Sequence, residues 1–321
     1  MILVGNLTKA FGPKTAVNKV SFRVERGEVL GFLGPNGAGK STTMRMITGY
    51  LPPTAGRVTV CGFDVGDQPL EVKRRIGYLP ESAPLYPEMT VLGFLGFAAE
   101  LRGLRGEEKK KALHRVVEAC SLDTVLHQAV DTLSKGFRHR TCLAQALVHD
   151  PEVLIMDEPT EGLDPNQKYE VRTLIRRMGE KKAIIFSTHI LEEVEAACTR
   201  AIIIDRGAIV ANSTPAELKA RSERSGAVLL TVRGPTAATV SAALGSQPSV
   251  ARCEIVSDAP PQVVVRVYPE RSRLTAAFTA QVADAAMRED WLVEEVHTEE
   301  GRLDDVFRSL TRPDTAPEAA A

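Results

Sequence analysis

Apolar positions come in three rhythms along this chain, and each predicts a different kind of element. Over residues 2–33 short apolar–polar alternations, as in Val20-Ser21-Phe22-Arg23-Val24, are broken at Gly12-Pro13 and Arg26-Gly27. They predict two or three strands, the last a buried one over residues 28–33. A helix follows over residues 43–49, closed by Gly49; strands over 57–61 and 76–79 flank a short helix near 68–75. From about residue 88 to 150 helical spacing takes over. Thr90 caps a helix through about Leu101 that ends at Gly103, residues 107–120 form a second, and residues 134–149 a third. The unbroken apolar runs Val153-Leu154-Ile155-Met156, Ala183-Ile184-Ile185-Phe186-Ser187 and Ala201-Ile202-Ile203-Ile204 then alternate with helices over 165–178 and 190–197. Strands alternating with helices imply a mostly parallel sheet, with the helical block inserted into an α/β core.

A change of pattern follows Ser222-Glu223-Arg224-Ser225-Gly226, which reads as a linker. Beyond it come a strand over 227–233, a helix over 236–244, strands over 250–256 and 262–268, a helix over 272–287 and a strand over 291–297. That βαββαβ order predicts a small ferredoxin-like α+β domain, followed by a helix over 303–310. The tail, residues 313–321, is rich in Pro, Ala and Glu and is expected to be disordered.

Composition narrows the class of protein. A chain of 321 residues suggests two domains and has length enough for full cores. With 40 basic and 41 acidic residues the formal net charge is −1, without the electrostatic footprint of a nucleic-acid binder. No basic stretch followed by an apolar one opens the chain, so no signal peptide is expected; no run reaches the ~18 apolar residues of a membrane span. The chain is expected to be cytoplasmic. The cysteines (Cys61, Cys120, Cys142, Cys198, Cys253) are scattered without a C-x-x-C pair and read as free thiols.

The chemistry starts at Gly34-Pro35-Asn36-Gly37-Ala38-Gly39-Lys40-Ser41-Thr42, which fits the phosphate-binding pattern G-x-x-x-x-G-K-[ST] between a strand and a helix. The glycines let consecutive N–H groups turn toward phosphate oxygens, and the helix N-terminus favours negative charge there. Lys40 is placed to reach the β- and γ-phosphates and the Ser41 hydroxyl to bind Mg²⁺. A second apolar strand ends in Asp157-Glu158. Asp157 suits Mg²⁺, which takes one or two carboxylates with phosphate oxygens, and Glu158 is placed to polarise a water attacking the γ-phosphate. The charge run Glu107-Glu108-Lys109-Lys110-Lys111 reads as a solvated helix face.

Further motifs carry a resemblance. Leu133-Ser134-Lys135-Gly136-Phe137-Arg138-His139-Arg140 resembles the signature motif of ATP-binding cassette (ABC) ATPases, Gly162-Leu163-Asp164 their D-loop, and Ser187-Thr188-His189 their switch histidine. Phe11 stands where an aromatic stacks on adenine. The resemblance covers about residues 1–220 and is nearest to subunits that power ABC-2-type exporters, including gliding-motility-type ATPases. It implies a P-loop NTPase core with a β-rich N-terminal subdomain and an inserted helical subdomain at about 82–150. The chain then divides into an ATP-binding domain (1–222), an accessory domain (223–312) and the tail (313–321). The implied cofactors are ATP and Mg²⁺, with Ser41, Asp157 and Glu81 at the metal and Glu158 and His189 handling the water. Ser134, Gly136 and Asp164 would complete the site of a second copy, or of a homologous subunit, in a head-to-tail dimer. A separately encoded membrane permease would receive the movement, with this subunit at the cytoplasmic face of the membrane.

The sequence departs from the family at three places. Glu81 stands where Gln is usual and adds negative charge beside phosphates. Lys135 and Phe137 replace Gly and Gln in the signature, while Ser134 and Gly136 remain. His139 replaces Gln and reads as a helix-surface variation, and Glu161 stands where Ser is common. Two competing functions stay open on sequence: a soluble ABC ATPase acting on ribosomes or DNA, and a module that holds ATP without turnover. One phosphate loop, no sustained heptads and the near-zero charge weigh against the first; Glu158 and His189 weigh against the second.

Overall fold

A computed structural model of the chain describes residues 1–82, 85–270 and 277–311. Two compact units emerge, one of residues 1–215 with Leu310 and Thr311, the other of residues 216–309. The first opens with β1 (Ile2–Phe11), β2 (Lys14–Val24), β3 (Val29–Leu33), α1 (Lys40–Ile47), β4 (Ala55–Val60), β5 (Phe63–Asp64), α2 (Pro69–Arg75) and β6 (Ile76–Leu79). Three helices follow, α3 (Val91–Leu101), α4 (Gly106–Ala119) and α5 (Lys135–Leu147). Then come β7 (Val153–Asp157), α6 (Pro165–Gly179), β8 (Ala183–Thr188), α7 (Leu191–Ala197), β9 (Arg200–Asp205) and β10 (Ala208–Ser213).

These strands make two sheets. One is antiparallel, in the order β2-β1-β4-β5. The other runs β10-β9-β3-β8-β7-β6 and is parallel except for β10, which lies antiparallel to β9 at the edge. β3, β7 and β8 are buried at every residue, which is why they read as unbroken apolar runs. Successive side chains of a strand face opposite ways, so each strand supplies two cores. Leu30, Phe32, Val153, Ile155 and Ile185 join Ile2, Val24 and Met44 on the side of the antiparallel sheet. Val29, Leu154, Met156, Ile184 and Phe186 join Phe94, Leu95, Leu143 and Ile175 from the helices on the other. Full burial of each such side chain contributes roughly 1.5–3 kcal/mol before conformational entropy is subtracted. The helical block therefore shares its core with one face of the sheet.

Register brings the strand ends together. Leu33 pairs with Thr188 and Asp157 with Ser187, so β3, β7 and β8 finish side by side. In open α/β sheets ligands bind outside that carboxyl edge.

Helix α8 (Pro215–Lys219) leads into β11 (Val228–Arg233), α9 (Ala237–Gly245), β12 (Val250–Ala259), β13 (Gln262–Pro269), α10 (Phe278–Arg288), β14 (Leu292–Thr298) and α11 (Leu303–Leu310). The four strands form an antiparallel sheet ordered β12-β13-β11-β14. Val228, Leu230, Val232, Val263, Val265 and Val267 pack against Val240, Leu244, Phe278 and Val282 of α9 and α10. The expected helix over 272–287 is α10; its first five expected residues, 272–276, lie outside the described residues, as does the tail 313–321. The expected linker at 222–226 lies inside the second unit. Its packing explains this. Ser222 is buried and donates to Asp305 at 2.9 Å, and Gly226 N–H donates to the Glu299 carbonyl at 3.1 Å. Among the described residues no helix is long and apolar enough to cross a membrane.

Candidate functional site

The loop of residues 34–42 leaves β3 and enters α1. Gly39 caps α1 with φ +107°, and a Cβ there would lie 2.6 Å from the Ala16 carbonyl oxygen. Only glycine fits both demands. Lys40 is 6% exposed and curls back over the loop, its Nζ donating to the carbonyls of Gly34 (2.8 Å) and Pro35 (3.3 Å). The same Nζ lies 3.4 Å from Glu158 Oε1.

Asp157 and Glu158 leave β7 in different directions. Asp157 is buried, and its Oδ1 accepts from Ser41 Oγ at 3.1 Å and from the Ser187 hydroxyl. Its Oδ2 is buried without a hydrogen-bond partner. An orphaned buried carboxylate oxygen normally costs about 1–3 kcal/mol, so its place beside the Ser41 hydroxyl and the phosphate loop fits a hard cation with oxygen ligands. Burial first, and the Asp157 charge second, push the neighbouring Tyr78 hydroxyl up to about 12.

Glu158 takes φ +50°, a left-handed conformation uncommon for a side chain of its size. Its N–H is held by Ser187, both by the carbonyl (3.2 Å) and by Oγ (3.1 Å). The turn aims the carboxyl across the sheet edge, with Oε1 toward Lys40 and Oε2 3.0 Å from His189 Nδ1. Strained backbone of this kind, fixed by neighbours, recurs at functional sites. Glutamate and histidine thus follow directly on β7 and β8, and lysine reaches them from the start of α1, across the loop that leaves the adjacent β3.

These groups border a cleft of about 590 Å³ lined by the phosphate loop and by Phe11, Lys14, Ala16, Glu81, Glu158, Glu161 and His189. Phe11, at the end of β1, is half exposed and lies under Lys9 Nζ at 5.3 Å from the ring centroid. Glu81 is exposed at the rim. The cleft joins Phe11, Pro35, Asn36, Gly37, Gly39, Lys40, Ser41, Thr42, Glu81, Glu158 and His189; Gly34 and Ala38 lie buried in the same loop.

Of the described residues, Ser134, Gly136 and Asp164 do not line this cleft. They gather in a second patch. Ser134 caps α5 by accepting from Phe137 N–H at 3.3 Å, and Asp164 caps α6 by accepting from Gln167 N–H at 2.9 Å. A Cβ at Gly136 would lie 2.4 Å from the Gln167 side-chain oxygen, so the two helix starts touch. His139 is not a surface residue. It is half buried, its Nε2 has no hydrogen-bond partner, and burial holds its imidazole below the usual range.

Sequence reasoning overlooked Lys14, Ala16 and Glu161 as lining residues and the Ser187 hydroxyl as the link between Asp157 and Glu158. Ser187 lay within a recognised motif, whereas nothing in the local pattern around Lys14 or Ala16 announces a cleft.

Residues 17–161 match the family model described as ABC transporter. The linearmycin resistance ATP-binding protein LnrL of Bacillus subtilis (strain 168) is 39% identical over 235 residues, 73% of this chain and 76% of the relative. The probable multidrug ABC transporter ATP-binding protein YbhF of Escherichia coli (strain K12) is 41% identical over 217 residues, 67% of this chain but 37% of that longer protein. Among solved structures, an ATP-binding subunit of an ABC transporter superposes with a TM-score of 0.64 at 30% identity, covering 68% of this chain and 92% of its own.

Proposed function

This chain belongs to the family of ABC transporter ATP-binding proteins, and from that premise we propose that it binds and hydrolyses ATP to drive transport through a separate membrane permease. The observation that carries this is the convergence of Lys40 and His189 on the two oxygens of Glu158, at 3.4 and 3.0 Å, on the rim of the phosphate cleft.

Adenine stacks on Phe11, and the phosphates lie along residues 34–42. Lys40 exchanges the Gly34 and Pro35 carbonyls for phosphate oxygens, which releases Glu158 from its cation. Glu158 then accepts a proton from the attacking water as general base. His189 holds Glu158 through Nδ1 and orients the water against the γ-phosphate. Mg²⁺ would be held by Ser41 and Asp157 with Glu81 close by, and when bound it neutralises charge on the β- and γ-phosphates. Ser134, Gly136 and Asp164 act on the nucleotide of a second copy or a homologous subunit, because in their own chain they stand off the cleft. Two chains arranged head to tail enclose two ATP molecules.

Residues 1–222, with the helical block at about 82–150, serve as the ATP-binding domain, and residues 223–312 as a ferredoxin-like accessory domain. The subunit works at the cytoplasmic face of a membrane. Relatives named for linearmycin resistance and multidrug transport favour export as the direction.

Steady-state ATP hydrolysis tests the assignment. Glu158→Gln keeps the shape of the side chain but not its basicity, and turnover is expected to fall about 100-fold or more while ATP binding persists. Turnover unchanged by this substitution rules Glu158 out as the base.

A further inference from the structure

Glu193, in α7, is 1% exposed yet carries a carboxyl group. Among the described residues it has no ion-pair partner within 4.0 Å. Its two oxygens accept from two buried hydroxyls, one on the loop after β7 and one at the last residue of β8. Thr160 Oγ1 donates to Oε1, and Thr188 Oγ1 donates to Oε2 at 2.7 Å. Thr188 Oγ1 also accepts from Ile190 N–H at 3.0 Å, so this hydroxyl links Glu193 to the backbone on the far side of His189. Thr160 follows Glu158 by two residues, and Thr188 precedes His189 by one. The same carboxylate therefore ties the loop carrying Glu158 to the loop carrying His189.

We infer that Glu193 is a positioning residue for ATP hydrolysis, setting the separation of Glu158 and His189 through Thr160 and Thr188. The inference rests on the function proposed above. A buried carboxyl group is costly unless its oxygens are satisfied, so the site favours the geometry in which both threonines reach it. Each bond satisfies a buried carboxyl oxygen, so breaking either leaves a polar atom unpaired. Loosening either lets one loop drift, and a displacement of about 1 Å at reacting groups costs on the order of 100-fold in rate. A buried polar strut with no purpose beyond stability would be replaceable by apolar packing of the same shape.

The test uses the full chain and the isosteric pair Thr160→Val and Thr160→Ser, with Glu193→Gln as a second probe. Thr160→Val is expected to lower kcat about tenfold or more while ATP affinity changes less than about twofold; the chain stays folded with a modest loss of thermal stability, because one carboxyl oxygen loses its partner. Thr160→Ser, which keeps the hydroxyl, restores most of the rate. Glu193→Gln lowers kcat with the same split from KM, because an amide offers one acceptor oxygen where the two threonines need two. Amide exchange at residues 158–161 and 187–190 quickens in the Val variant. Wild-type turnover with Thr160→Val and Glu193→Gln at wild-type rates overturns the inference. So does an equal loss of kcat and ATP affinity that Thr160→Ser fails to rescue. A wild-type chain that binds ATP but never turns it over overturns instead the proposed function on which the inference rests.

Discussion

Lys40, Glu158 and His189 show how one side chain can be poised by two others. The Lys40 ammonium is satisfied by loop carbonyls and also neutralises Glu158, so each buried charge has a partner. That arrangement makes Lys40 readable by substitution. Lys40→Ala is expected to weaken ATP affinity about 10- to 100-fold, the range for one or two charge-assisted hydrogen bonds, as measured by titration calorimetry. Unchanged affinity would mean that phosphate is held by the backbone alone. At this scale the motif residues were legible in sequence, because Gly-x-x-x-x-Gly-Lys-Ser and Asp-Glu after an apolar strand are chemistry written locally. Glu193 was not. It sits in Leu191-Glu192-Glu193-Val194-Glu195, which has the look of a solvated helix face, and the packing that buries it, with Thr160 and Thr188 against its oxygens, is not written locally. His139, read as a surface position, is half buried.

Elements follow the apolar rhythm closely where burial is two-sided, as in β3, β7 and β8, and less closely where it is not. Strand β12 runs to Ala259, past the expected residue 256, because pairing with β13 holds residues that carry no apolar alternation. One tie between elements has a pH signature. His149 follows α5, and its Nε2 donates to the carbonyl of Ile76, the first residue of β6, at 3.1 Å. Its Nδ1 is buried without a partner. Burial first, then the Arg102 charge, lower its imidazole to about 4. The folded state thus binds fewer protons than the unfolded chain between the ordinary histidine range near 6.5 and about 4. The contribution of neutral His149 is complete above about pH 6.5, is lost as pH falls through that window, and amounts to as much as about 3 kcal/mol. His149→Gln keeps a donor for Ile76 but cannot titrate. Denaturant unfolding at pH 7 and pH 4.5 is expected to show a smaller acid loss for this variant than for wild type. Equal losses would remove His149 from the account.

At the scale of the molecule, the parallel sheet, the helical block and the βαββαβ order of the second unit were all readable, because each has its own periodicity. The division between units was read several residues late: 222–226 has the composition of a linker, yet Ser222 and Gly226 hydrogen-bond to residues near α11. Long-range pairing of that kind leaves no local trace. The most consequential arrangement is the separation of Ser134, Gly136 and Asp164 from the cleft their motifs serve. In the proposed head-to-tail arrangement one chain holds half of two sites, and closing them requires two chains. Light scattering of the Glu158→Gln protein, with and without ATP and Mg²⁺, tests this most directly. The expected result is a monomer that doubles in mass with ATP and retains two nucleotides per pair. A protein that binds ATP to saturation and stays monomeric at high concentration would contradict it.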